Sequence, residues 1–185
     1  MIPATGPEPV AEIEAVYLGL GSNQGDRLEH LRGAVAALRS HPALEVTAVS
    51  PVYETEYVGP GGPQELYLNA CIALRTALAP TELLALLKEL EARHGRLPGS
   101  HLQPRSLDLD ILVHGARVVD GPFLTLPHPR LRQRAFVLAP LREIAPELRL
   151  PDSGETVTAA CARIRSRNGP AVRRIGDLGS SGGDQ

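Results

Sequence analysis

Aromatic side chains are scarce. The 185 residues hold four Tyr, two Phe and no Trp, 3% of the chain. So few rings exclude the broad stacking surface with which proteins hold single-stranded nucleic acid, and they leave the core to Leu, Val, Ile and Ala. A ring placed where packing does not require it is therefore informative. Cysteine is also rare: Cys71 and Cys161 are too few for a disulfide framework and fit a reducing compartment. Neither has CxxC or histidine spacing, which argues against a zinc or redox motif. No apolar run approaches the roughly 20 residues of a membrane helix. The opening MIPATGPEPVAEIEA has no basic n-region or apolar h-region, so a cytoplasmic protein away from membranes is expected. There is no Walker loop, which excludes a P-loop kinase. His30, His41, His94 and His114 are scattered and read as structural or solvated rather than as ligands.

What is present is globular. Hydrophobic residues make up 43% and charged residues 22%, with a formal net charge of −2, at a length that suits one domain. Of 19 basic residues all but Lys88 are arginine, a ratio that reads as a codon-composition bias. Charge is uneven: residues 130–175 carry 10 bases and 4 acids, against 9 and 15 in residues 1–129. A late basic segment in a near-neutral protein suits a small polyanion better than duplex nucleic acid.

Residues 1–13 are rich in Pro and Glu and 176–185 in Gly and Ser. The expected organisation is a disordered tail over 1–13, one domain over 14–165 and a flexible tail over 166–185. Within the domain, apolar alternation predicts strands at 15–20, at 44–55 with a break at Pro51, at 67–76 and at 105–114, then a short continuation at 117–119. Helical spacing predicts a helix from Asp26, its N-cap, to Ser40, and another from Pro80 to His94. Beyond it Pro127, Pro129, Pro140, Pro146 and Pro151 divide the chain into short pieces. The order β-α-β-β-α-β predicts an α+β fold, a ferredoxin-like (split βαβ) plait with a mostly antiparallel sheet and helices on one face. Gly19-Leu20-Gly21-Ser22-Asn23-Gln24-Gly25 departs from a dinucleotide fingerprint and reads as a tight turn and helix start.

The strongest chemical signal is Asp108 and Asp110. Leu107, Leu109, Ile111 and Val113 face the core, which puts both aspartates on the opposite face with Cβ atoms about 7 Å apart. Aspartate is disfavoured in strands and two so close repel each other. Hard carboxylates at this separation can hold a pair of Mg²⁺ ions ~3.5–4 Å apart. Arg105 precedes them, and Thr125, His128, Arg130, Arg132 and Arg134 follow, the donors that phosphate oxygens accept in phosphoryl transfer. Tyr67 and Asn69 share a strand face. They either bind a flat heterocycle, by stacking and by paired amide hydrogen bonds, or cover a sheet edge and mark a bulge.

From about Tyr17 to Pro151 these residues resemble a known family. The resemblance rests on Gly21-Ser22-Asn23, Ser50-Pro51-Val52-Tyr53-Glu54-Thr55, Tyr67-Leu68-Asn69-Ala70 and Pro104-Arg105-Ser106-Leu107-Asp108-Leu109-Asp110-Ile111. It continues in Leu126-Pro127-His128-Pro129 and the Arg134-Ala135-Phe136 to Pro140-Leu141 stretch. The family is 6-hydroxymethyl-7,8-dihydropterin pyrophosphokinase of folate biosynthesis, which moves pyrophosphate from ATP to the pterin hydroxymethyl group and releases AMP, using two Mg²⁺ ions. The resemblance implies metal ligation by Asp108 and Asp110, with Arg96 and Arg105 also catalytic. It implies a pterin pocket of Thr55, Val58, Tyr67, Asn69 and Phe136. It further implies ATP binding by Glu91, Arg96, Arg105, Ile111, Thr125, His128 and Arg134. Small-molecule substrates are the expected partners, with no nucleic acid and no membrane. Pro98, His101, Leu102 and Gln103 depart from the family pattern, as do Glu56 and Tyr57. The expectation is an intact metal centre with altered loop closure.

Overall fold

Strand alternation and helix capping act locally before the sheet assembles. The computed structural model describes residues 12–57, 64–96, 103–165 and 171–178. Strand β1 (Glu14–Ser22) leads into α1 (Arg27–Ser40), capped where the Asp26 carboxylate accepts the Glu29 N–H at 3.1 Å. The chain returns through β2 (Glu45–Val49) and β3 (Pro51–Thr55), with the break at Ser50–Pro51 as expected, and then β4 (Tyr67–Thr76). Helix α2 (Pro80–Arg93) starts on proline, whose missing N–H is no loss there, and precedes β5 (Asp108–His114).

All sheet pairings are antiparallel. The order is β5-β1-β4-β3, with β2 also on β4, so β4 is flanked by β1 on one side and by the broken β2–β3 strand on the other. This is the expected plait, with β5 at one edge. Leu18, Ile72, Leu74 and Leu109 pack against Leu31 and Leu38 of α1 and Leu83 and Leu87 of α2 in one core.

Four expectations need correction. First, helices cover both faces. Beyond β5 come a short hairpin, β6 (Val119–Asp120) and β7 (Thr125–Leu126), a single 3₁₀ turn (Leu131–Gln133), α3 (Ala135–Ile144) and α4 (Val157–Arg165). Val137, Leu138 and Leu141 of α3, with Val157, Ala160 and Cys161 of α4, pack with Cys71, Leu112 and Val113 in a second core on the opposite face. Pro140 lies inside α3; it forfeits one backbone hydrogen bond, but the apolar stripe around it is buried. Second, β8 (Val172–Asp177) pairs with β3 from Thr55↔Val172 to Pro51↔Asp177, so a paired strand lies within the stretch expected to be a flexible tail. Third, the register shifts between β1 and β5 where Leu18 pairs Ile111 but Tyr17 pairs Val113. The extra residue, Leu112, puts Val113 in the second core rather than with Leu109. Fourth, Gly19 and Gly21 are not a turn but the second half of β1.

Candidate active site

The site forms on the second face of the sheet, where β4, β1 and β5 lie side by side. In β1, Gly21 pairs with Asn69 on one side and Asp108 on the other, and Gly19 pairs with Cys71 and Asp110. Two glycines thus face the site where any other residue would raise a side chain. A Cβ on Gly21 would stand 3.7 Å from Asn69 Oδ1, 3.8 Å from the Tyr67 ring and 3.9 Å from Asp108 Cβ. The glycines supply space here, not an unusual backbone angle. Over this floor lies a cleft of about 820 Å³, which also reaches α2, α3 and the β6–β7 hairpin.

One end of the cleft carries rings and an amide. Asn69, 5% exposed, donates its Nδ2 to Thr55 Oγ1 at 2.9 Å, which fixes the amide. Tyr67 stacks on Tyr57, with ring centroids 6.0 Å apart and planes 24° from parallel, and burial pushes its hydroxyl pKa up. Phe136 stands at the start of α3 with the Arg134 guanidinium 5.5 Å above its ring.

The middle of the cleft is ionic. Asp108 is held from both sides, by Arg96 Nη1 at 2.6 Å and by Arg105 Nη1 at 2.7 Å. Asp110 faces His128 Nε2 at 3.8 Å and Arg134 Nη1 at 3.7 Å. His128 Nδ1 accepts the Arg130 N–H at 3.1 Å, so in the neutral ring Nε2 carries the proton and turns it towards Asp110. Burial holds the His128 pKa below the ordinary histidine value despite Asp110.

Glu91 explains how a carboxylate comes to be 1% exposed. It continues the buried stripe of α2 after Leu83, Leu87 and Leu90, so the helix drives it towards the sheet. There Oε1 accepts the Leu109 N–H at 2.7 Å, while Lys88 Nζ reaches both oxygens at 2.9 Å and Arg96 approaches to 2.5 Å. Burial, the largest influence, raises its pKa; the two cations and the Leu109 amide act against it. Leu109 lies on an edge strand, and Glu91 takes a hydrogen bond that no further strand can. Asn23 does similar work at the end of β1. Its Oδ1 accepts the Arg105 N–H at 2.7 Å, its own N–H reaches Arg105 O at 2.9 Å, and Nδ2 donates to Gln64.

The structure therefore brings into one cleft Thr55, Tyr67, Asn69, Glu91, Arg96, Arg105, Asp108, Asp110, Ile111, Thr125, His128, Arg134 and Phe136. Val58, and Pro98, His101 and Leu102 of the departing loop, lie outside the described residues; Gln103 is exposed at the cleft rim. Sequence reasoning took Gly19 and Gly21 for a turn and gave Asn23 and Lys88 no role in the site, although the single lysine among 18 arginines was a signal.

Acidic and cationic side chains interleaved this closely handle polyanions, and they do so here on a plait with no P-loop: the class is that of a phosphoryl-group transferase. Comparison with known proteins makes the assignment particular. Residues 17–146 match the family model of 7,8-dihydro-6-hydroxymethylpterin-pyrophosphokinase. The chain is 40% identical over 157 residues to the 2-amino-4-hydroxy-6-hydroxymethyldihydropteridine pyrophosphokinase of Synechocystis sp., covering 85% of this chain and 80% of that one. It is 42% identical over 151 residues to the protein of the same name from Pseudomonas aeruginosa, at 80% and 93% coverage. Among solved structures, an HPPK-DHPS of Plasmodium falciparum (A437G) superimposes with a TM-score of 0.69 at 14% identity, a likeness of fold. It covers 86% of this chain and 47% of that longer one, so the chain spans less than half of it. This chain belongs to the 7,8-dihydro-6-hydroxymethylpterin-pyrophosphokinase family.

Proposed function

We propose that the chain transfers pyrophosphate from ATP to the hydroxymethyl group of 6-hydroxymethyl-7,8-dihydropterin, with Asp108 and Asp110 at the centre of the reaction. The observation that carries this reading is the register through Gly21, which sets the Asn69 amide and the Asp108 carboxylate on either side of one bare backbone position. Two strand spacings separate them, about 10 Å, which suits a flat bicyclic ring at one side and a polyphosphate at the other. The pterin lies on the glycine floor, its edge paired with Asn69 and its faces against Tyr67 and Phe136.

Asp108 and Asp110 fit magnesium. Among the described residues no group of three or more Asp, Glu, His or Cys converges, and Mg²⁺ typically takes one or two carboxylates and completes its shell with phosphate oxygens and water. Bound there, two such ions would neutralise charge on the transferring phosphates. Arg96, Arg105 and Arg134 donate to phosphate oxygens, and His128 presents Nε2–H from the Asp110 side. Glu91, Ile111 and Thr125 address the nucleoside. The hydroxymethyl oxygen forms its bond to the β-phosphorus as the bond from that phosphorus to the α–β bridging oxygen breaks; AMP leaves with that oxygen and the hydroxyl proton passes to water. No covalent enzyme intermediate is needed.

The test is phosphorus NMR of the chain with ATP, Mg²⁺ and hydroxymethyl-dihydropterin. AMP appears with the wild-type chain and is lost in Asp108→Ala and in Asp110→Ala, with circular dichroism confirming that each variant folds. Formation of ADP, or no product from the wild type, rejects the proposal.

A further inference from the structure

The end of the cleft given above to the nucleoside has further lining whose role has not been stated. Beyond the ionic middle it runs between α2, which contributes Leu84, Lys88 and Ala92, and the β6–β7 hairpin, which contributes Pro122, Phe123 and Leu124. Phe123 is 89% exposed. A single exposed apolar residue normally needs no explanation, but this chain owns only two phenylalanines and no tryptophan, and packing makes no use of this ring. Its position is fixed all the same. Gly121 N–H donates to Leu124 O at 3.1 Å, Asp120 pairs with Thr125, Val119 pairs with Leu126, and Leu126 is buried to 1%. A firmly anchored hairpin thus holds an aromatic ring at the rim, next to Thr125.

We infer that Phe123 is a stacking platform for the nucleobase of ATP, holding it against the α2 wall. The inference rests on the reading that Glu91, Ile111 and Thr125 face the nucleoside. The rest of the cleft supports it by division of labour. Tyr67 and Phe136 stand at the pterin end and the arginines and aspartates fill the middle, so the apolar end is left for the second flat ring that the reaction requires. A base stacked on a phenylalanine gains affinity without hydrogen-bond readout. Phe123 therefore strengthens purine nucleotide binding without itself choosing between adenine and guanine.

Two measurements on the full chain test this. In Phe123→Ala the KM for ATP and the calorimetric Kd for α,β-methylene-ATP rise about tenfold, the range alanine substitution gives for base–aromatic stacking. The KM for the pterin and kcat stay within about twofold, and the thermal midpoint does not move because the ring is solvated. Phe123→Trp introduces the only tryptophan. Its emission is quenched by α,β-methylene-ATP and by adenosine, and is unchanged by inorganic tripolyphosphate or by the pterin alone. Equal α,β-methylene-ATP affinity in wild type and Phe123→Ala overturns the stacking role and leaves the pyrophosphokinase reading standing. Quenching by the pterin rather than the nucleotide also overturns it. Wild-type chain that binds no α,β-methylene-ATP at all removes both.

Discussion

Asn69 of β4 and Asp108 of β5 stand in register on opposite sides of Gly21, and a side chain on that glycine would point between them. The separation between the heterocycle end and the ionic middle is therefore set by a residue with no side chain. The Cβ contacts of 3.7–3.9 Å are ordinary van der Waals distances, so a methyl group is tolerated by the fold. It is not tolerated by a ring lying on the floor. Gly21→Ala is expected to leave the thermal midpoint within a few degrees and to lower kcat/KM for the pterin about 100-fold, the scale attached to a misplacement of about 1 Å. Steady-state kinetics beside a melting curve checks both; an unchanged kcat/KM would show that nothing rests on this floor.

Glu91 satisfies a backbone amide and two cations from inside the core. Removing its carboxylate strips a buried N–H of its acceptor and leaves Arg96 without one of its two partners. Glu91→Ala is expected to cost about 2–4 kcal/mol in urea denaturation. Glu91→Gln keeps an acceptor for the Leu109 N–H and should cost less. Similar losses in the two variants would mean that charge, rather than the hydrogen bond to the edge strand, is what matters.

The plait was legible in the sequence because its strands alternate and its helices carry caps and stripes: 67–76 matches β4 residue for residue, and Asp26 caps α1. The carboxylate pair was legible because aspartate is out of place in a strand. The glycine floor was not, since a glycine gives no periodic signal and Gly19 and Gly21 imitate a turn. The second layer was hidden for another reason. Prolines at 140, 146 and 151 obscure the stripe of α3 and the start of α4, and only burial against a distant sheet outweighs them. The last strand, β8, exposes five of its six residues and so shows no alternation.

That strand makes the next prediction. β8 closes the edge of β3 through five register pairs, an Arg173–Glu54 ion pair adds to them, and Leu178 just beyond is 7% exposed. A chain ending at 165 uncovers the edge of β3, whose Thr55 holds the Asn69 amide. The truncation is expected to lower stability by about 2–4 kcal/mol from lost burial and hydrogen bonding. It should also raise the pterin KM more than the ATP KM. A truncated chain with the wild-type urea midpoint would show that the domain does end at 165.

Acid should weaken the fold through the helix pair on the other face. His30 of α1 and His94 at the end of α2 meet with their Nδ1 atoms 3.1 Å apart and their rings edge to face at 5.4 Å. One nitrogen must accept, so the contact admits one proton between them. Burial, then the charge of His30, holds the His94 pKa below the ordinary histidine value, and burial does the same for His114. The unfolded chain protonates these rings near pH 6.5, and the folded chain only at lower pH. Within that window the unfolded state binds more protons, so stability rises with pH and falls as the solution is acidified below about 6.5. The urea midpoint is expected to be lower at pH 5.5 than at pH 7.5, and His94→Gln should reduce the difference without abolishing it, because His114 still contributes. A difference of the same size in His94→Gln would remove the histidine pair as a source of the acid sensitivity.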